Sequence, residues 1–215
     1  MSKSIGHMIA SSNPQKVLPK NISAKNIPDV LIHEIIDGIP LYRKGYRDVL
    51  AKTKTVEEIM GCSSLQFFII DYILRVLYKA VDETKYIIAT NEAGLHIDKR
   101  NNISGDIMIF DKNVLTIDKI DTHYSQVHPM ICIEIDLDVE LERFTESGYI
   151  TIKTQKLLDF GTDKVIWFLT KPKSVMIATK DNDWRTFSWD QDIEMLDGIC
   201  CNVGKYLKEK GSEFA

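Results

Sequence analysis

Apolar residues recur along this chain with two different periods. From Ser63 to Ala80 they fall at Leu65, Phe68, Ile69, Tyr72, Ile73, Val76, Leu77 and Ala80. That three-and-four spacing predicts one helix with a single buried face, capped by Ser63 or Ser64. A second helix is predicted over Tyr149–Phe160, ended by Gly161 as a left-handed cap, and a third over Ile193–Lys208. Short β-branched runs between them predict strands. Leu31–Ile36 and Ile39–Tyr42 flank Asp37-Gly38, which supplies the positive φ angles of a tight hairpin. Lys85–Thr90, Gly94–Ile97 and Asp106–Phe110 follow, with Val114–Ile117 as a short continuation. Met130–Leu137 is almost unbroken apolar sequence, as in a strand buried on both faces. Val165–Thr170 returns to the same sheet, and Ser174–Thr179 and Trp184–Trp189 extend it around the turn Lys180–Asp183. The order helix, strands, helix, strand predicts an α/β fold, a mixed sheet covered by helices.

Charged residues interrupt this pattern where apolar ones are expected. Asp106 opens a strand run, Glu134 and Asp136 lie inside Met130–Leu137, and Lys153 falls on the stripe of the second helix that faces the sheet. Residues two apart on a strand share a face, so Glu134 and Asp136 are expected side by side, with Asp106 at the same edge. Carboxylates in such runs are costly to bury unless neutralised, and a divalent cation does this. An oxygen-rich cluster suits Mg²⁺ or Mn²⁺ rather than zinc. A lysine beside it could deprotonate or orient a water, or stabilise charge on a phosphate. The plainer alternative is a structural salt bridge between Lys153 and Glu134, with Asp106 as a turn residue.

Composition narrows the field modestly. The chain has 215 residues, 44% hydrophobic and 27% charged, with a formal net charge of −4. Residues 1–29 read as a flexible polar arm, and residues 30–215 as a single domain. No apolar run reaches the ~18 residues of a membrane span, and Met1–Asn26 has no signal-peptide character, so no membrane partner is expected and the cytoplasm is the expected location. The acidic balance argues against a general nucleic-acid coat protein but not against a nuclease whose carboxylates hold a cation. Cys62, Cys132, Cys200 and Cys201 lack paired zinc spacing and read as free thiols. Neither a phosphate-binding glycine loop nor a G-x-S-x-G elbow is present.

The series Asp, then Glu in a buried strand, then a helical Lys resembles the PD-(D/E)XK restriction-endonuclease-like superfamily, and more narrowly its Uma-type family of bacterial endonucleases. The likeness spans residues 31–190. It rests on His33-Glu-Ile-Ile-Asp-Gly38, Ser104-Gly-Asp106-Ile-Met-Ile-Phe, Pro129-Met-Ile-Cys-Ile-Glu134-Ile, and Lys153 followed by Phe160-Gly161 and Val165-Ile-Trp167-Phe. The resemblance implies a restriction-endonuclease-like fold, a core of helix, three strands, helix and strand. It also implies Mg²⁺- or Mn²⁺-dependent hydrolysis of DNA. Asp106 and Glu134 would bind the ion with the carbonyl of Ile135, and Lys153 would activate the water. Glu34 and Asp136 are secondary candidates, Lys156 is the fallback lysine, and a homodimer is a candidate assembly. The sequence departs from the superfamily in places: Gly105 stands for its proline, Asp136 for its strand lysine, Leu157 for an aromatic and Gln66 for a histidine. A serine-proline stretch of the Uma-type branch after the glutamate is missing. The rival readings are a catalytically silent module of the same fold that binds DNA or a protein, and a metal-binding domain that is not a nuclease.

Overall fold

The computed structural model describes residues 27–137, 139–142, 144–181 and 184–215. Residues 1–26 of the predicted arm, and Asn182 and Asp183 of the predicted turn, lie outside these. Strands β1 (Ile32–Ile36) and β2 (Ile39–Tyr42) form the expected hairpin, with Asp37 and Gly38 at φ 53° and 76°. A short helix α1 (Tyr46–Leu50) leads to the long helix α2 (Ser64–Ala80), where the Ser63 hydroxyl accepts the Gln66 N–H as N-cap. Then come β3 (Tyr86–Asp98), β4 (Asn101–Asp111), β5 (Ile131–Ile135), α3 (Glu146–Phe160), β6 (Lys164–Leu169), β7 (Ser174–Thr179) and β8 (Trp184–Ser188). A small hairpin, β9 (Ile193–Leu196) with β10 (Ile199–Cys201), and helix α4 (Val203–Glu209) end the chain.

One eight-stranded mixed sheet organises the molecule, in the order β2-β1-β4-β5-β6-β7-β8 with β3 also paired to β4. Only β5 and β6 of this path run parallel, joined by α3 as crossover. Because a strand has two edges and β3 follows β4 along its length, β1 and β5 share the other edge: β1 meets Asn102, and β5 meets residues 107–109. Asp106 lies between those two contacts. Alternation then sorts the side chains. Ile107, Ile109, Ile133, Ile135 and Phe168 pack beneath α2 and α4, and Met108, Cys132, Val165 and Trp167 pack against α3. No helix among the described residues is long and apolar enough to cross a membrane.

Several elements differ from the sequence expectation. The two strands expected over residues 85–97 are one strand, β3, which absorbs Asn91 and Glu92 at φ 65° and 54° as a bulge opposite β4. Strand β4 begins at Asn101, so Asp106 lies inside it rather than at its start. Val114–Ile117 forms no strand; a turn leads into a 3-10 helix, Ile117–Lys119. The helix expected over Ile193–Lys208 is split, because Asp197 and Gly198 (φ 47° and 79°) close the β9–β10 hairpin. Only α4, capped by the Asn202 side chain, is helical there.

Candidate active site

The pairing of Ile107 with Ile133 on antiparallel strands carries Asp106 to the position opposite Glu134, on the face covered by α3. Asp106 Oδ2 accepts the backbone N–H of Ile135 at 2.7 Å, and the Gln66 amide reaches Oδ1 at 3.4 Å. The strand carboxylates are therefore fixed by main-chain pairing, and Ile135, whose carbonyl was the third expected ligand, is tied directly to Asp106. Gly105 allows this closeness. A Cβ there would lie 2.9 Å from Cys132 Sγ and 3.2 Å from Glu134 Oε1.

Lys153 enters from α3 between two carboxylates. Its Nζ lies 3.0 Å from Glu134 Oε1 and 2.7 Å from Glu34 Oε1. Glu34 is completely enclosed: the Tyr149 hydroxyl donates to its Oε2 at 2.7 Å, and the Ser104 N–H to its Oε1 at 3.0 Å. The Tyr149 and Trp167 rings stand 5.7 and 5.5 Å from the ammonium. Glu34, a secondary candidate from sequence, is thus an integral member. Tyr149 and Ser104 were not anticipated; Ser104 becomes a partner only when β1 pairs with β4, and Tyr149 only when α3 packs over β1.

Electrostatics distributes one positive charge between two buried carboxylates. Burial disfavours ionised Glu34, but Lys153, His33 and the hydrogen bonds outweigh it and hold its pKa below the usual value. Burial pushes Glu134 up to about 8, against the pull of Lys153 and helped by repulsion from Asp106 and Glu34. Burial alone would lower Lys153, yet Glu134 and Glu34 together raise it well above its ordinary value. The lysine is accordingly a fixed cation. Among the described residues, no set of three or more His, Cys, Asp or Glu side chains converges closely enough to hold a metal by itself.

The remaining candidates fall outside this cluster. Strand β5 ends at Ile135, and Asp136 turns away with φ 59°, its carboxylate accepting the N–H and hydroxyl of Thr170. The expectation that Asp136 shares a face with Glu134 fails because the period-two pattern stops one residue earlier, although Asp136 still lines the cleft rim. Lys156 pairs with Asp37 at the hairpin turn, 2.6 Å away, and makes no contact with the carboxylate pair. His33 lines the cleft with its Nδ1 buried and lacking a hydrogen-bond partner, 3.9 Å from Glu92, and burial lowers its pKa. The cleft itself is small, about 20 Å³, room for one water or one ion. Asp136 and Leu137 also line a neighbouring cleft of about 160 Å³, and Lys44 joins that one to a third of about 390 Å³.

No family model and no curated protein matches the chain. Among solved structures it is similar to a "putative nuclease belonging to DUF820" from Anabaena variabilis, at 11% sequence identity and a TM-score of 0.59, over 81% of this chain and 89% of that one. At this identity the likeness shows the fold, which is restriction-endonuclease-like. It does not carry activity with it.

Proposed function

We propose that the protein is a Mg²⁺- or Mn²⁺-dependent endonuclease that hydrolyses DNA phosphodiester bonds, of the Uma-type branch that its sequence motifs resemble. The observation that carries this reading is the placement of Asp106 opposite Glu134 on paired strands, with a buried, charged lysine against the second carboxylate. Two carboxylates and a backbone carbonyl fit a small hard cation that keeps water and substrate oxygens in its other positions. Asp106, Glu134 and the Ile135 carbonyl would hold the ion, which when bound polarises the phosphate and lowers the pKa of a water.

The protein's own groups do the rest. Of the two roles the sequence leaves for Lys153, its ion pairs favour charge stabilisation over proton abstraction, because an ammonium with a raised pKa is a poor base near neutrality. Glu34 and Tyr149 hold that ammonium in place. Lys44 and Lys171, both exposed, line the larger clefts beside the site and offer charge to flanking phosphates. Plasmid nicking with and without Mg²⁺ or Mn²⁺ tests the reading. The wild type should nick in a metal-dependent way, and Asp106→Ala should lose both cleavage and metal binding by calorimetry. Metal or DNA binding without cleavage of DNA or RNA would instead support the silent binding module.

A further inference from the structure

Glu92 stands where two clefts meet. It lines the small cleft that holds Asp106 and Glu134, and also the cleft of about 390 Å³ lined by Arg43 and Lys44. Two breaks in strand register converge on it. The bulge of β3 carries Glu92 itself at φ 54°, and the register of β1 against β2 shifts at His33, between Ile32 and Glu34. Bulges re-aim side chains beside functional sites.

The Glu92 carboxylate sits on the fork of Arg43. Arg43 Nη1 donates to its Oε1 at 3.4 Å, and Nη2 to its Oε2 at 3.1 Å. Tight charge-assisted pairs measure about 2.7–2.9 Å, so this one is loose. The Arg43 side chain is only 15% exposed, whereas that of Glu92 is 40% exposed and can turn out into solvent. Among the described residues, Arg43 Nε and His33 Nδ1 are buried beside Glu92 without a hydrogen-bond partner. His33 Nδ1 is 3.9 Å from Glu92 Oε2, too far to bond. Buried polar atoms are nearly always paired, so two orphans flanking one displaceable carboxylate mark a ligand site.

We propose that Glu92 occupies a phosphate site. Arg43 binds a DNA backbone phosphate flanking the scissile one, and Glu92 holds that position until the substrate displaces it. The inference rests on the DNA substrate of the proposed function. A phosphodiester offers the guanidinium two anionic oxygens, as a carboxylate does. Its tetrahedral centre also directs acceptors where a planar carboxylate has none, towards Arg43 Nε and His33. The exchange takes one negative charge away from the approach to Asp106 and Glu134.

Binding of a labelled DNA duplex to the full chain in metal-free buffer, read by fluorescence anisotropy, tests this, while plasmid nicking reports hydrolysis separately. Glu92→Gln should tighten binding about 5-fold, and Arg43→Gln should weaken it about 10-fold. Arg43→Gln should also reduce the slope of log Kd against log salt by ~0.9, the share of one phosphate. The two effects should not add: in the Arg43→Gln background, Glu92→Gln should change Kd by less than about 2-fold. Arg43→Lys keeps the charge without the fork, so it should weaken binding yet retain the slope; it replaces Arg43→Gln in the cycle if that variant unfolds. If Glu92→Gln tightens binding equally in both backgrounds, Glu92 acts by general repulsion; the phosphate site is then overturned and the nuclease reading stands. Coupled effects in a protein that nicks no plasmid would uphold the phosphate site and refute hydrolysis. A wild type that binds no DNA, or an Arg43→Gln variant that binds as tightly as wild type, would overturn the proposal.

Discussion

Lys153 is charged because carboxylates from two different strands converge on it, and each member of the trio is costly without the others. Lys153→Met removes the cation of the trio, leaving ionised Glu34 buried without its main counter-ion and Glu134 without its ion-pair partner. It is expected to cost about 3–5 kcal/mol in urea unfolding, and adding Glu34→Gln should recover part of that loss. The same trio gives a pH signature. The pKa of Glu134 is raised from 4.5 to about 8 by burial and by repulsion from Asp106, so its protonated form favours the fold. Its stabilising contribution is complete below about pH 4.5 and is lost as pH rises through about 8. Glu34 is shifted down, so its contribution is present above the ordinary carboxylate pKa and lost towards acid. In metal-free buffer, the wild-type melting temperature should therefore fall relative to Glu134→Gln between pH 5 and 9; parallel curves would contradict the assignment. Asp106, Glu134 and Lys153 were legible in the sequence because each is a charge where an apolar side chain is expected, at or in a strand run or on the buried stripe of a helix. Ser104 and Tyr149 were not, since they meet Glu34 across 70 and 115 residues of chain, and no local pattern records such a contact.

At the scale of elements, local turn chemistry decided where periodicity misled. Ile193, Leu196, Ile199, Val203 and Leu207 carry helical spacing, yet Asp197-Gly198 closes a hairpin among them, as Asp37-Gly38 does between β1 and β2. The first such dipeptide was read correctly because strand-like runs flank it; the second was masked by the spacing around it. A bulge inside β3 likewise reads in sequence as a loop between two strands, since Asn91 and Glu92 break the alternation without ending the pairing. Helix α3 was better specified, and its end rests on Gly161, at φ 126°. A Cβ there would come within 2.8 Å of the His128 ring. Gly161→Ala should therefore cost about 1–3 kcal/mol in thermal or urea unfolding, combining backbone strain with displacement of His128. Lys153 lies two turns away on the same helix, so nicking activity well below the melting temperature should survive. A loss of activity without a loss of stability would show that the end of α3 sets the position of Lys153.

In the whole molecule the sheet separates two jobs. The face under α3 carries the charged cluster, while the face under α2 and α4 is almost wholly apolar. Gln66 links them, since α2 buries its neighbours in the apolar layer and sends this one amide to Asp106. Leu207 on α4 is fully buried on the far side and touches none of the charged groups described. Leu207→Ala should cost about 2–5 kcal/mol through lost transfer energy and the cavity left behind. For a domain of this size that corresponds to a drop of about 4–20 °C in melting temperature. Metal affinity and nicking rate at low temperature should change little, because Asp106 and Glu134 are held by β4–β5 pairing that the substitution leaves intact. Lys153→Met should differ, losing stability and activity together. If Leu207→Ala instead weakens metal binding while the protein is still folded, the position of α2, and with it Gln66, must depend on α4, and the two faces of the sheet act as one unit.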